Sequence, residues 1–243
     1  INRNTILIVG SAPAYPHGII DPIPDLAELA VEKELPLHVD ACLGGFLLPF
    51  VEQLGYPVPR FDFRLPGVSS ISADVHKYGF APKGVSTILY RSRDLLRHQL
   101  FAYENWPGGV FASPALLGTR PGGAIAGAWA AMQTLGTKGY LKNARRIMSI
   151  TEQMQEGIDD IEELEIIGRP HMSVFAYRSA DPTLNIFAVA DQMEARGWHI
   201  DRQQRPDCLH AMVTPRHAAF VDQYVDDLHA SVAHVRAHPE LQE

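Results

Sequence analysis

The sequence predicts an α/β protein, with a mostly parallel sheet over residues 1–137 and a smaller, antiparallel α+β layer over residues 138–243. Three observations predict this. Strand, helix and strand patterns follow one another within the first 40 residues, the order of a right-handed βαβ unit. Beyond a long helical stretch that ends near Leu164, short strand patterns alternate loosely with helices, as in an antiparallel layer. The 243 residues are 46% hydrophobic and 20% charged, enough apolar material for one large domain or one and a half ordinary ones, and too much for a disordered chain.

Residues 5–9 (TILIV) make a β-branched apolar run closed by Gly10 and Ser11, the pattern of a buried strand. Residues 25–33 make an amphipathic helix with Leu26, Leu29 and Ala30 on one face, Pro24 at its start and Pro36 past its end. Residues 37–40 (LHVD) are the next strand. Two more, 69–74 and 86–90, are joined by a loop containing HKYGFAPKG. Over 118–136 the small residues of GTRPGGAIAGAWAAMQTLG fall at helical spacing and predict a helix packed closely against another backbone. A longer, more charged helix continues from 139 to about 164. EIIGRPHMSVFAYR and CLHAMV read as strands, and 184–196 and 218–236 as helices.

Composition also excludes. The net charge is −7 and no cluster holds four or more Lys/Arg, which argues against a nucleic-acid partner. No apolar run approaches the roughly 18–20 residues of a membrane span. Cys42 and Cys208 stand far apart and form neither a disulfide framework nor a zinc knuckle, so a reducing, cytoplasmic compartment is expected. His234 and His238 are four apart, a metal-compatible spacing, but no acidic pattern accompanies them and no metal site is expected. The chain opens at Ile1 and enters a strand at once, so it reads as part of a longer polypeptide.

Three features carry chemistry together. Asp40 ends a strand in HVDACLGGF, where an isolated aspartate is ordinarily a turn cap. Lys77 follows a strand in SADVHKYGFAPKG; a lone loop lysine is ordinarily a solvated charge, but this one is flanked by His76 and Tyr78. The segment from Gly118 and Thr119 to Gly123 opens a helix. Its backbone N–H groups and threonine hydroxyl suit a phosphate, and a plain turn accounts for it equally well. In open α/β sheets, ligands lie beyond the carboxyl ends of strands. An acid and an amine presented there fit pyridoxal 5′-phosphate. The amine forms a Schiff base with the aldehyde, and the carboxylate keeps the pyridine nitrogen protonated.

On these residues the sequence resembles the group II decarboxylase family of fold-type I pyridoxal-phosphate enzymes, densely over about residues 5–135 and in pattern beyond. The resemblance implies that Lys77 bonds the cofactor aldehyde and that Asp40 pairs with the pyridine nitrogen. It further implies that Cys42 packs under the ring and Ser11 lies near its phenolic oxygen. Gly118 and Thr119 would reach a cofactor phosphate across the interface of a homodimer with shared active sites. His76 either carries a proton or hydrogen-bonds the cofactor phosphate, and Tyr15 and His17 either line the site or pack their turn beside two prolines.

Within the family, GSAPAYPHGIIDPI, HVDACLGGF, SADVHKYGFAPKG and WPGGVFASPALLGTRPGG, in that order, are similar to the branch that cleaves phosphorylated sphingoid bases. That reaction breaks the C2–C3 bond and gives a fatty aldehyde and phosphoethanolamine. Lys83, six residues after Lys77, would be the second cation that a phosphate monoester favours; a surface lysine after a Pro turn is the plain alternative. The implied reaction removes the proton of the C3 hydroxyl, breaks C2–C3 and passes the electron pair into the ring, with His76 and Lys77 as proton carriers. An amino-acid decarboxylase, which needs no second phosphate site, and a non-catalytic fragment are the competing readings. The family pattern also includes an N-terminal half with part of the phosphate cup, which a missing segment or companion chain is expected to carry.

Overall fold

The computed structural model describes residues 1–242 and divides into two compact units. The first comprises Ile1–Ala12, Asp21–Pro49 and Pro59–Gly136; the second comprises Pro13–Ile20, Phe50–Val58 and the chain from Thr137 onward. Two short segments of the first 137 residues therefore belong with the C-terminal half. Their own bonds explain it. Gly18 accepts from the His171 amide, His171 Nδ1 accepts from the Ile20 amide, and Phe50 stacks on Tyr140 at 5.1 Å.

The first unit is built on four strands in the order β1 (Ile8–Ser11), β2 (Leu37–Asp40), β3 (Val68–Ala73) and β4 (Thr87–Tyr90). β1–β2 and β2–β3 run parallel, and β4 returns antiparallel to β3. Helix α1 (Ile23–Glu32) makes the crossover between β1 and β2, with Pro24 in its first turn. Its buried face is Ile23, Ala27 and Ala30, one position around from the expected Leu26, Leu29 and Ala30 stripe, because the smaller residues let the helix sit close to the sheet. β1 lies three residues later than expected. Parallel pairing with Leu37–Asp40 sets its extent, residues 2–5 turn back through a Thr5–Asn2 bond, and Val9 is 56% exposed on this edge strand. The TILIV run reported strand propensity and not burial.

After α2 (Leu48–Gln53) and α3 (Arg93–Leu96), a hairpin of β5 (Phe101–Tyr103) and β6 (Phe111–Ser113) stands apart from the main sheet. Helix α4 spans Gly122–Asp159 but is broken at Gly136, whose φ of 54° and ψ of −179° no helix contains. It starts at Gly122 and not at Gly118. Its close packing is one-sided: Ala128 is buried with Val75 and Ala81, while Trp129 is 63% exposed.

The second unit is a four-stranded antiparallel sheet in the order β7 (Leu164–Ile166), β8 (Val174–Ser179), β10 (Cys208–Met212) and β9 (Asp201–Gln203). Helices α5 (Ile186–Ala195) and α6 (Val221–Ala237) join the second half of α4 over a core that includes Met154, Phe175, Val189, Met193, Leu209 and Leu228. Asn185 caps α5, accepting from the amides of Phe187 and Ala188. No helix among the described residues is long and apolar enough to cross a membrane.

Candidate active site at the strand ends

Pairing register puts three polar residues in one row at the carboxyl ends of the parallel strands. Ser11 is opposite Asp40, and Asp40 is opposite Ser72. Within β2, Leu37 and Val39 are buried, while His38 and Asp40 alternate to the half-buried face. There His38 Nδ1 meets Ser70 Oγ at 2.8 Å, and two residue pairs further Asp40 Oδ1 accepts from Ser72 Oγ at 2.9 Å. The same Oδ1 accepts from the Cys42 amide at 3.0 Å. Both donors use one oxygen, and the Cys42 side chain bonds the same carboxylate.

The glycines of HVDACLGGF have steric reasons. A Cβ on Gly44 would lie 2.2 Å from the Ala12 carbonyl oxygen, and one on Gly45 would lie 2.5 Å from Ala73 Cβ. The turn after Asp40 is thus pressed between the ends of β1 and β3, which fixes the Cys42 amide under the carboxylate.

Lys77 stands in the loop between β3 and β4, with its side chain 33% exposed. Its Nζ pairs with Asp74 Oδ2 at 2.8 Å and hydrogen-bonds the Cys42 side chain. Amine and Asp40 carboxylate are therefore linked through one residue: the Cys42 thiol meets the amine and the Cys42 amide meets the acid. Burial works against the Lys77 charge, yet the bonds to Asp74 and Cys42 raise its pKa above the ordinary lysine value. Burial likewise disfavours the Asp74 carboxylate, but donation from Lys77 and Ser86 outweighs it and holds that pKa low. The Cys42 thiol is pushed up, chiefly by burial. His76 Nδ1 donates to the Val85 carbonyl at 2.7 Å, and its Nε2 lies 3.8 Å from Asp74 Oδ2. Phe80 closes the turn at a φ of 57°, a strained value for a side chain of this size.

The remaining expected residues take the following places. Ser11 is beside Asp40 in register, and its amide donates to Asp21 Oδ2 at 2.7 Å. Lys83 is exposed at the tip of the same loop as Lys77 and forms no ion pair among the described residues. Gly118 has a φ of 67°, and its amide is already bonded to the Ala115 carbonyl at 3.0 Å, so that N–H belongs to a turn and not to a helix start. Thr119 is exposed. Tyr15 packs on the His210 ring at 4.5 Å within the second unit. Among the described residues, no group of three metal-ligating side chains occurs. Sequence reasoning missed Ser72, Asp74 and Ser86. The signals were faint: Ser72 alternates onto the face of Asp40's row, and Asp74 precedes Lys77 by three residues in a turn.

Comparison with known proteins gives one consistent picture. Residues 7–180 match the pyridoxal-dependent decarboxylase conserved domain. Sphingosine-1-phosphate lyase of Arabidopsis thaliana is 51% identical over 98% of this chain, and that of Saccharomyces cerevisiae 45% identical over 98%. The chain covers 44% and 40% of those two proteins, less than half their length. The structure of sphingosine-1-phosphate lyase from Burkholderia pseudomallei superposes with a TM-score of 0.93 at 46% identity, covering 99% of this chain and 55% of that one. Glutamate decarboxylase from Lactobacillus brevis shares the fold, with a TM-score of 0.81 at 22% identity over 97% of this chain and 56% of the other.

Proposed function

We propose a function from the family to which this chain belongs, the pyridoxal-dependent decarboxylases: it is the lysine-bearing part of a carbon–carbon lyase that acts on phosphorylated sphingoid bases. The observation that carries the reading is the bridge from the Lys77 amine through Cys42 to the Asp40 carboxylate at the ends of parallel strands. Extended similarity to sphingosine-1-phosphate lyases, at 51% identity for the Arabidopsis protein, supports the lyase over a decarboxylase.

The residues present fit pyridoxal 5′-phosphate. A primary amine, one-third exposed, can bond an aldehyde, and a carboxylate, with lone pairs on both oxygens, can accept the N–H of a pyridine ring. When bound, that cofactor supplies an electron sink for the pair released as C2–C3 breaks. The protein's own residues do the rest. Ser72 and the Cys42 amide hold the Asp40 carboxylate in place, so that it stays aimed. His76, with Nδ1–H committed to the Val85 carbonyl, has Nε2 available as a proton acceptor for the C3 hydroxyl. Lys77, once displaced by substrate, is a second proton carrier. Lys83, exposed and unpaired, is the cation for the substrate phosphate.

Assembly as a homodimer completes the proposal, with Gly118 and Thr119 serving the partner's cofactor phosphate. Its support is the apolar surface that the first unit leaves open near them: Leu116, Leu117, Val110 and Trp129 are all exposed. The test uses the full-length polypeptide with pyridoxal 5′-phosphate. Phosphorylated sphingoid base should give aldehyde and phosphoethanolamine, and the Lys77→Ala variant should give neither and lose the absorbance of lysine-bound cofactor. Release of carbon dioxide from amino acids, with no aldehyde from the phosphorylated base, would replace the lyase by a decarboxylase. Turnover persisting in Lys77→Ala would remove the role of that lysine.

A further inference from the structure

We infer that Asp74 is a positioning residue for Lys77: whenever the lysine is not joined to the cofactor, this carboxylate receives its ammonium and keeps it protonated at the sheet end. The inference rests on the assignment of Lys77 as the cofactor-bonded amine.

Asp74 is built for this from three sides. Its Oδ2 meets Lys77 Nζ at 2.8 Å, and its Oδ1 accepts the hydroxyl of Ser86, at the foot of β4. Its own amide is tied to the Cys42 carbonyl at 3.2 Å, across from the turn that follows β2. The carboxylate side chain is only 15% exposed, so its pairing is less screened than a surface pair's. The groups facing the amine are Asp74 from its own loop and Cys42 from the neighbouring turn, with His76 on the far side of Asp74 at 3.8 Å. Apart from Lys77, the basic side chain near Asp74 among the described residues is His76, farther off at 3.8 Å, so the carboxylate is directed at Lys77.

The chemical consequence follows from the proton count. An ammonium has no lone pair and cannot attack an aldehyde. Lys77 must give one proton to water before its nitrogen bonds the aldehyde carbon. The nitrogen then passes a second proton to the aldehyde oxygen, which regains the first and leaves as water. Asp74 opposes the opening step. It therefore sets the pH at which the cofactor is captured and, during turnover, the rate at which a displaced Lys77 returns.

The experiment strips the full-length polypeptide of cofactor, adds pyridoxal 5′-phosphate and follows the absorbance of lysine-bound cofactor from pH 6 to 10. Wild type is compared with Asp74→Asn, Asp74→Glu and Lys77→Ala. Loss of a charge at hydrogen-bond distance should move the midpoint of the capture rate down by about one pH unit or more in Asp74→Asn, and leave it near wild type in Asp74→Glu. Capture by Asp74→Asn near neutral pH should then be about tenfold faster. A second readout needs no cofactor: the pH dependence of acetylation of Lys77 by acetic anhydride, read by mass spectrometry, should shift by the same amount. An unchanged midpoint in Asp74→Asn overturns the inference, as does a uniformly slower rate at every pH, which marks a merely structural role. If Lys77→Ala captures cofactor as wild type does, the assignment of Lys77 fails, and this inference with it.

Discussion

Asp40 receives the Cys42 amide and the Ser72 hydroxyl at a single oxygen, and the second comes from a side chain that can be removed without touching the backbone. Ser72→Ala should free the carboxylate to swing, costing about 1 kcal/mol of cofactor binding, or roughly a fivefold weaker affinity in an absorbance titration with pyridoxal 5′-phosphate. His171 makes a different kind of prediction. Its Nδ1 accepts the Ile20 amide, so the ring is held neutral there, and burial lowers its pKa. The unfolded chain therefore binds the proton more readily. The stability this histidine contributes is full above the ordinary histidine pKa of about 6.5 and is lost as pH falls below it. His38, His210 and His217 are lowered by burial in the same direction. The urea midpoint should thus fall between pH 7.5 and pH 5, and His171→Asn, which keeps an acceptor but does not titrate, should flatten part of that slope. At this scale the sequence disclosed the groups that stand at strand ends beside unusual neighbours, Asp40 and Lys77. Ser72 and Ser86 stayed hidden because each acts across a strand pairing or loop closure, and no local pattern announces a register.

Elements are governed here by a few backbone positions. Gly136 interrupts α4 at a φ of 54° with nothing within reach of an added Cβ, so Gly136→Ala isolates the backbone term and should cost about 1–3 kcal/mol in a denaturant titration. Gly122→Ala, equally open but at the helix start without a positive φ, should be neutral or slightly stabilising. Gly18 is the opposite case. A Cβ there would lie 1.6 Å from the Val174 carbonyl oxygen, so Gly18→Ala should disrupt the second unit outright, visible as loss of its cooperative unfolding transition. The long patterned elements were legible in sequence: residues 37–40 are the strand expected, and the antiparallel order after Leu164 follows from its alternation. The hairpin at Phe101–Tyr103 and Phe111–Ser113 was not, since three-residue strands show no periodicity, and its Trp-Pro-Gly-Gly connection looks like a motif before it looks like a turn. The segments Pro13–Ile20 and Phe50–Val58 were also misplaced, because their ties are to residues more than a hundred positions away in the case of Ile20 and His171.

For the molecule as a whole, a run of large apolar side chains is left open between Leu100 and Trp129, among them Leu116, Leu117 and Val110. If they meet a second copy, Leu117→Asp should halve the mass measured by light scattering and reduce the amount of bound cofactor with it. A mass unchanged by the variant would place the association elsewhere. One more property of the molecule comes from how the Lys77 loop is fastened. β3 and β4 are paired from Ser70 with Tyr90 down to Ala73 with Thr87, Thr87 Oγ1 donates to the Ala73 carbonyl, and inside that ladder Ser86 grips Asp74 and His76 grips Val85. A protease that severs the chain after exposed Lys83 should therefore produce a nicked protein whose two pieces travel together in a native gel and part only in detergent, with Lys77 and Asp74 on one piece and Ser86 and Val85 holding them from the other side of the cut.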